Sequence, residues 1–429
     1  MVNINTAEVT LWGKPVGAVA WNESSAYANF EYDSSFKAAE VELSPLLMPF
    51  AEKRIYSFSG NNNETFKGLP GLLADALPDK YGNRLINEWL ARSGRDSDSL
   101  NPVERLCFIG SRGMGALEFE PVIGNNSNRA ESLEISSLVE AAQDIMNERL
   151  SLNTNISADK IKALKEIIKV GTSAGGARPK AIIAFNQKSG KVRSGQTNAP
   201  SGFEHWLIKL DCSGDLQLND SKDWGRIEMA YYNMAIDSGI DMMESRLLEE
   251  NGRAHFMTKR FDREGSRIKH HIQTFCAMKH FDYNETNSFS YEQLFQTMRE
   301  LHLPYPDVEQ MFRRMVFNVL AVNHDDHTKN FAFRLRQGYN WELAPAYDMC
   351  FASDSQNKWI NQHALSINGK RKNIQKEDIL ELATSMNIKK AGQIIEEVNK
   401  VVTLWNDYAD AVNISPAKRD TINNKLIIL

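Results

Sequence analysis

The chain is 429 residues long, roughly three times a typical domain length, so it holds either one large two-lobed enzyme or two to three tightly packed units. Hydrophobic residues make up 42% and charged residues 24%, an ordinary globular balance that excludes disordered and fibrous classes. Fifty basic residues against 55 acidic ones give a net charge of -5, which excludes a strong global positive field able to hold nucleic acid by phosphate neutralisation alone. The opening segment Met1 to Asn5 lacks a basic stretch followed by an apolar one, and no run reaches bilayer length, so a cytoplasmic protein is expected. Cys107, Cys212, Cys276 and Cys350 are scattered with no Cys-x-x-Cys pair, which disfavours a disulfide framework and a cysteine-rich zinc site and predicts buried thiols.

Val9 to Trp12, the turn Gly13-Lys14-Pro15 and Val16 to Trp21 predict a strand, a turn and a second strand. Helices are predicted around Gly71 to Ala76 and Arg84 to Ser93, then a strand at Ala116 to Phe119. The polar run Gly124 to Asn128 reads as a boundary before a helix near Ser136 to Asn147. Beyond Gly171, Ala181 to Phe185 and His205 to Leu210 are short apolar runs that predict strands, and Arg226 to Ile236 has helical spacing. Asn251-Gly252 between two apolar runs predicts a hairpin. Met311, Phe312, Met315, Val316, Val319 and Leu320 trace one helix face that stops at Asn323, and a second hairpin turning at Gly338 is predicted between Asn330 and Asp348. Lys376 to Met386 and Ala391 to Val412 predict helices.

The chemistry concentrates in His324-Asp325-Asp326-His327-Thr328-Lys329-Asn330 and in Asp348. Phosphoryl transfer from ATP requires a loop over the phosphates, a strand lysine, oxygen ligands for magnesium and an aspartate to orient the attacking hydroxyl. Asp325 and Asn330 lie five residues apart in a loop, the interval of the kinase catalytic loop, and Asp348 follows the hairpin. On this reading Asn330 and Asp348 share magnesium while Asp325 faces substrate. Lys209, ending a strand, reaches the phosphates, with Glu228 on the next helix as its ion-pair partner.

Gly171 to Lys180 is glycine-rich and precedes a strand, which suits phosphate binding by backbone amides. It departs from the Walker pattern, because Ala177 and Arg178 occupy the Lys and Ser/Thr positions. Gly110-Ser111-Arg112-Gly113-Met114-Gly115 has the wrong spacing for a dinucleotide loop and reads as a structural turn. His324 and His327 also admit a metal-dependent phosphohydrolase, in which His and Asp side chains hold divalent ions.

The chain resembles the HipA family of bacterial serine/threonine kinase toxins of type II toxin-antitoxin systems over nearly its whole length. The resemblance is carried by Gly68 to Leu73, Leu77-Pro78-Asp79, Gly82, Gly110 to Leu117, Ser173 to Lys180, Ile208-Lys209, Lys259 to Arg263, the Asp325-x-His327-x-Lys329-Asn330 motif and Tyr347-Asp348. It implies an α+β, bilobal protein-kinase-like fold with an additional N-terminal α/β subdomain at 1-130, an ATP-binding N-lobe core at 131-265 and an all-helical C-lobe at 266-429. It implies that Lys209 binds phosphates, that Lys259 and Phe261 lie on the adenine hinge and that Asp262 lies near the ribose. Asp325 is then the catalytic base, Asn330 and Asp348 hold magnesium, and His327 and Tyr347 line the site.

Ser173 is implied as the autophosphorylated serine, and a phosphate there would expel the loop from the ATP phosphates. Implied partners are a small helix-turn-helix antitoxin, operator DNA through the antitoxin complex, and a protein substrate of the aminoacyl-tRNA synthetase class. The departures from ordinary kinases, Asn323-His324-Asp325 and Tyr347-Asp348-Met349, argue against an activation-loop switch of the usual kind. A non-enzymatic alternative is a catalytically silent corepressor scaffold.

Overall fold

The computed structural model describes residues 4–36, 41–50, 54–61, 63–96, 99–123, 130–147, 158–171, 177–196, 198–212 and 223–429. The chain falls into two compact units, Met1–Lys222 with Arg246–Ile272 and Asp223–Ser245 with Gln273–Leu429. Both strands and helices build it, as the α+β class requires.

The first unit begins with β1 (Thr6–Leu11) and β2 (Lys14–Asn22), whose buried and exposed residues alternate. Between them Trp12 and Gly13 both take left-handed φ, 51° and 73°, the backbone of a tight hairpin whose twist matches its strands. β3 (Tyr27–Tyr32), β4 (Ile55–Ser57) and, after helices α1 (Gly71–Ala74), α2 (Lys80–Arg92) and α3 (Pro102–Ile109), β5 (Leu117–Glu120) complete a sheet ordered β4-β3-β2-β1-β5. Gly17 on β2 lies so close to β3 that an added Cβ would sit 2.1 Å from the Glu31 carbonyl oxygen, so the strand pairing excludes any larger residue there. α3 opens with a capping box: Asn101 accepts from the Glu104 amide at 2.9 Å while the Glu104 carboxylate accepts from the Asn101 amide at 3.0 Å.

α4 (Ile135–Met146) and α5 (Ala158–Gly171) lead into β6 (Lys180–Phe185), β7 (Val192–Ser194) and β8 (Glu204–Lys209). The chain then builds α6 (Trp224–Asp237) in the second unit before returning with β9 (Ser245–Glu250) and β10 (Arg253–Lys259), joined at Asn251-Gly252 with φ of 47° and 78°. The resulting sheet runs β7-β6-β8-β10-β9. Its core includes Tyr81, Leu85, Leu138, Ile167, Trp206 and Met257. Burying each such side chain stabilises by about 1.5–3 kcal/mol, and Trp206 and Ile208 anchor the strand carrying Lys209 in this core. A two-stranded ribbon, β11 (Arg263–Glu264) and β12 (Ile268–Lys269), follows, and β13 (His271–Thr274) leads onward.

The second unit is helical apart from a small sheet ordered β13-β14-β15: α7 (Phe275–Lys279), α8 (Tyr291–Glu300), α9 (Tyr305–Leu320), β14 (Ala332–Leu335), β15 (Trp341–Leu343), α10 (Lys376–Ser385), α11 (Ala391–Val402), α12 (Trp405–Ala411) and α13 (Pro416–Asn423). α6 belongs here because Tyr231 packs edge-on against Phe317 and Trp405, at 6.0 and 5.5 Å between ring centres, and donates its hydroxyl to the Ala321 carbonyl at 2.6 Å. The single helix expected over 391–412 is two, with the axis broken at Thr403-Leu404 so that Trp405 turns fully into the core. Cys107, Cys212 and Cys276 are buried and Cys350 is half-buried.

Candidate active site

In the second unit, α9 delivers the chain to the loop and stops where Val322 takes a left-handed φ of 56°. That conformation costs a β-branched residue about 1–2 kcal/mol. It is held by a bridge in which the Ala352 amide donates to the Val322 carbonyl at 3.1 Å and the His324 amide donates to the Ala352 carbonyl at 3.0 Å. Strain over-determined in this way is characteristic of functional loops.

The two adjacent aspartates face opposite ways. The Asp325 side chain is 49% exposed, and His327 Nε2 lies 3.8 Å from its Oδ1. Asp326 is buried; the sequence places it in the reacting stretch without a role of its own. Asn330 Nδ2 donates to the main-chain carbonyl of Asp325 at 2.7 Å, which closes the loop on itself. A carbonyl can only accept, so the amide nitrogen is fixed there and Oδ1 is the Asn330 atom left for a cation.

The β14–β15 hairpin, with Phe333 opposite Leu343 and Leu335 opposite Trp341, turns at Gly338 and brings the chain back to the loop. Tyr347 donates its hydroxyl to the Lys329 carbonyl at 2.7 Å. Asp348 follows in a left-handed φ of 52°, which aspartate tolerates better than most residues. Asn330 and Asp348 thereby line one small pocket with Arg314, Asn318, Asn323 and Asp326.

Polar side chains share the pocket lining with Phe331, Ala346 and Met349. Arg314 donates to the Ala344 carbonyl at 2.8 Å, and burial lowers its pKa to about 10 despite the nearby Asp241 and Asp307. Buried Asn323 Oδ1 and Arg314 Nε, both from residues lining the pocket, have no hydrogen-bond partner in the structure. Magnesium takes oxygen ligands, keeps several waters and is commonly held by one or two side chains plus substrate phosphates. The amide oxygen of Asn330 and the carboxylate of Asp348 fit that donor set.

His324 and His327 do not converge as a metal pair: His324 Nδ1 donates to the Ile360 carbonyl at 3.0 Å, whereas His327 faces Asp325. Among the described residues no group of three or more His, Cys, Asp and Glu side chains is gathered to hold a metal. Burial lowers the His324 pKa to about 4, with His363 adding to the effect, so its ring is neutral at neutral pH.

In the first unit, Lys209 ends β8 with Lys180 of β6 and Phe256 of β10 directly opposite it, so the three share a sheet face. Its ammonium lies 5.9 Å from the Phe256 ring centre. Lys180 is only 4% exposed, and the two lysines at one register position set two positive charges side by side. Lys180 was quoted in the sequence within the glycine-rich run but given no role. Lys259 ends β10 and pairs with Glu204, and Phe261 beside it is half-buried. Glu228 lies half-buried on α6, in the other unit from Lys209. Ser173 lies outside the described residues.

Asp262 is fully buried. Its Oδ2 accepts from Arg260 Nη2 at 2.6 Å, Arg263 Nη1 at 2.7 Å and the Gly115 amide at 2.7 Å, and its Oδ1 accepts from Arg260 Nε at 2.8 Å. Burial alone would raise its pKa, but the two guanidiniums hold it well below the usual carboxylate range. The side chain is 0% exposed and offers no surface to a ribose. It ties the Gly110 to Gly115 turn to the strand region after β10, which is the structural role expected for that turn.

Comparison with known proteins places the chain. A model of the HipA-like C-terminal domain matches residues 172–405, and a model of the HipA N-terminal domain matches residues 7–120. The chain belongs to the HipA family. Among solved structures, this HipA-family chain is similar to HipA of Shewanella oneidensis MR-1, determined in a complex of HipA, HipB and operator DNA. The identity is 16% over 97% of this chain and 94% of that chain, with a TM-score of 0.66. It is also similar to CtkA, a proinflammatory kinase of Helicobacter pylori, at 14% identity over 52% of this chain and 88% of that chain, with a TM-score of 0.33. Comparison with curated proteins finds none that matches. No helix among the described residues is long and apolar enough to cross a membrane.

Proposed function

We propose that this HipA-family chain is an ATP-dependent serine/threonine protein kinase and the toxin of a toxin-antitoxin pair. The reading is carried by one arrangement: Asn330 and Asp348 line a common pocket while Asp325, bonded to Asn330 through its carbonyl, presents its carboxylate to solvent. Asp325 is the base that takes the proton of the attacking hydroxyl, at the mouth of the loop where a protein substrate can reach it. Asn330 and Asp348 hold magnesium, which when bound neutralises charge on the transferring phosphoryl group. Lys209 binds phosphates, Lys259 and Phe261 flank the adenine, and His327 and Tyr347 orient the loop around the nucleotide. Ser173 is the autophosphorylated residue that silences the enzyme.

The partners follow from the family. They are a small helix-turn-helix antitoxin, operator DNA bound through it with the kinase as corepressor, and a protein substrate of the aminoacyl-tRNA synthetase class. The separated roles of His324 and His327 favour the kinase over the metal-dependent hydrolase.

Calorimetric titration with ATP tests the reading. Binding should require magnesium, should weaken at least about tenfold in Asp348→Asn, and should be nearly unchanged in Asp325→Asn, because the base does not contact the nucleotide. Equal loss of affinity in both variants would refute the division of roles.

A further inference from the structure

Beyond the residues assigned above, the second unit contains a polar network built around the aspartate that faces inward. Asp326 Oδ2 accepts from the Tyr291 hydroxyl at 2.8 Å and from His363 Nδ1 at 2.9 Å, and its Oδ1 accepts from the Ala364 amide at 2.7 Å. The Tyr291 hydroxyl accepts in turn from Asn318 Nδ2 at 3.0 Å, and Asn318 Oδ1 accepts from Asn323 Nδ2 at 3.0 Å. The rings of His324 and His363 meet edge to face at 4.6 Å. Tyr291, Asp326 and His363 are each at most 2% exposed, so this network is sequestered from solvent.

The network has a clear geometry. The loop from Asn323 to Asp326 is gripped from α8 through Tyr291, from α9 through Asn318, and from the segment after Asp348 through Ala352, Ile360, His363 and Ala364. We propose that Tyr291 and His363 are positioning residues for phosphoryl transfer, acting through Asp326 to hold Asp325 in register. The proposal rests on the kinase reading of the same loop.

The physical argument is one of adjacency and depth. Asp325 itself is exposed; its carbonyl accepts from Asn330 and its carboxylate lies 3.8 Å from His327 Nε2, so its direction depends on the peptide it shares with Asp326. A buried carboxylate with three partners has one arrangement, and each partner removed leaves the others with an unsatisfied buried group. A displacement of about 1 Å in a catalytic group can cost on the order of 100-fold in rate. The same bonds fix the segment from Ala352 to Ala364, which in ordinary kinases is the region ordered by phosphorylation, to the catalytic loop without any phosphate.

The test uses the full chain and autophosphorylation or transfer to a generic protein acceptor. Tyr291→Phe and His363→Ala should lower kcat by about 10- to 100-fold with the KM and Kd for ATP within about twofold, since neither residue touches the nucleotide. His363→Asn, whose amide reproduces the Nδ1 donor, should regain most of the rate, which a merely structural loss would not show. In unmodified protein, hydrogen exchange should place the Ala364 amide among the slowest in the unit. Unchanged kcat in folded Tyr291→Phe and His363→Ala would overturn the proposal while leaving the kinase reading intact. Fast exchange at Ala364 would overturn it even if the variants failed to fold. Absence of phosphoryl transfer by the unmodified chain would instead sink the kinase reading and this proposal with it.

Discussion

Asp262→Asn probes whether the buried Arg260, Asp262 and Arg263 cluster holds the first unit together or serves a nucleotide. The substitution keeps the shape and removes the charge. Three donors converge on Oδ2 and one on Oδ1, so the new amide nitrogen must sit at the Oδ1 position and face Arg260 Nε, donor against donor. Two guanidiniums with side chains only 1% and 7% exposed then lose their counter-ion. Breaking a buried pair on one side costs about 3–5 kcal/mol, because the surviving charge cannot return to water.

With an m-value of about 3 kcal/mol/M, that is a shift of about 1–2 M in the urea midpoint, read by tryptophan fluorescence. Arg260→Ala should cost less, since Asp262 keeps Arg263 and the Gly115 amide. ATP affinity of the folded Asp262→Asn protein should match the unmodified chain. A midpoint shift worth less than about 1 kcal/mol, or a cost no larger than that of Arg260→Ala, would refute the reasoning. A selective loss of ATP binding would restore a ribose contact.

Stability should fall on acidification through His205, which is 4% exposed and donates Nδ1 to the Gly195 carbonyl at 3.0 Å. Burial first, then Arg260 and Arg263, lower its pKa to about 4. The unfolded chain takes up the proton near pH 6.5 and the folded chain only near 4, so stability present above about pH 6.5 is lost as pH falls through that window. The loss from this group is about 2 kcal/mol at pH 5, and His205→Gln should flatten the urea-midpoint profile between pH 6.5 and 5. Asn330→Ala should raise the magnesium concentration needed for half-maximal turnover several-fold, and an unchanged magnesium dependence would remove Asn330 from the metal. Ser173→Ala should keep its activity after preincubation with ATP, whereas the unmodified chain should lose it; equal decay of both would exclude Ser173 as the silencing site.

Much of the architecture was legible where local chemistry and tertiary packing agree. The Asn251-Gly252 hairpin and the apolar runs that became β6 and β8 announce themselves by turn residues and short buried segments, and α9 by its single apolar face. The break between α11 and α12 was not legible, because both halves carry apolar residues at helical spacing and only the pocket that accepts Trp405 decides the angle. In the loop, the five-residue interval from Asp325 to Asn330 and the return to Asp348 could be read from spacing. Nothing local distinguishes two adjacent aspartates, and the inward turn of Asp326 is decided by Tyr291 and His363, which are 35 and 37 residues away in sequence. The burial of Asp262 was hidden for the same reason, since its Gly115 partner is 147 residues distant.

The central claim is that Asp325, Asn330 and Asp348 form a phosphoryl-transfer centre, and it is met most directly by incubating the purified chain with γ-labelled ATP and magnesium. The account predicts label on a serine or threonine hydroxyl of protein, and its loss in Asp325→Asn while that variant binds ATP within about threefold of normal. Labelling by Asp325→Asn at the unmodified rate, or no uptake of nucleotide by the unmodified chain, would contradict it.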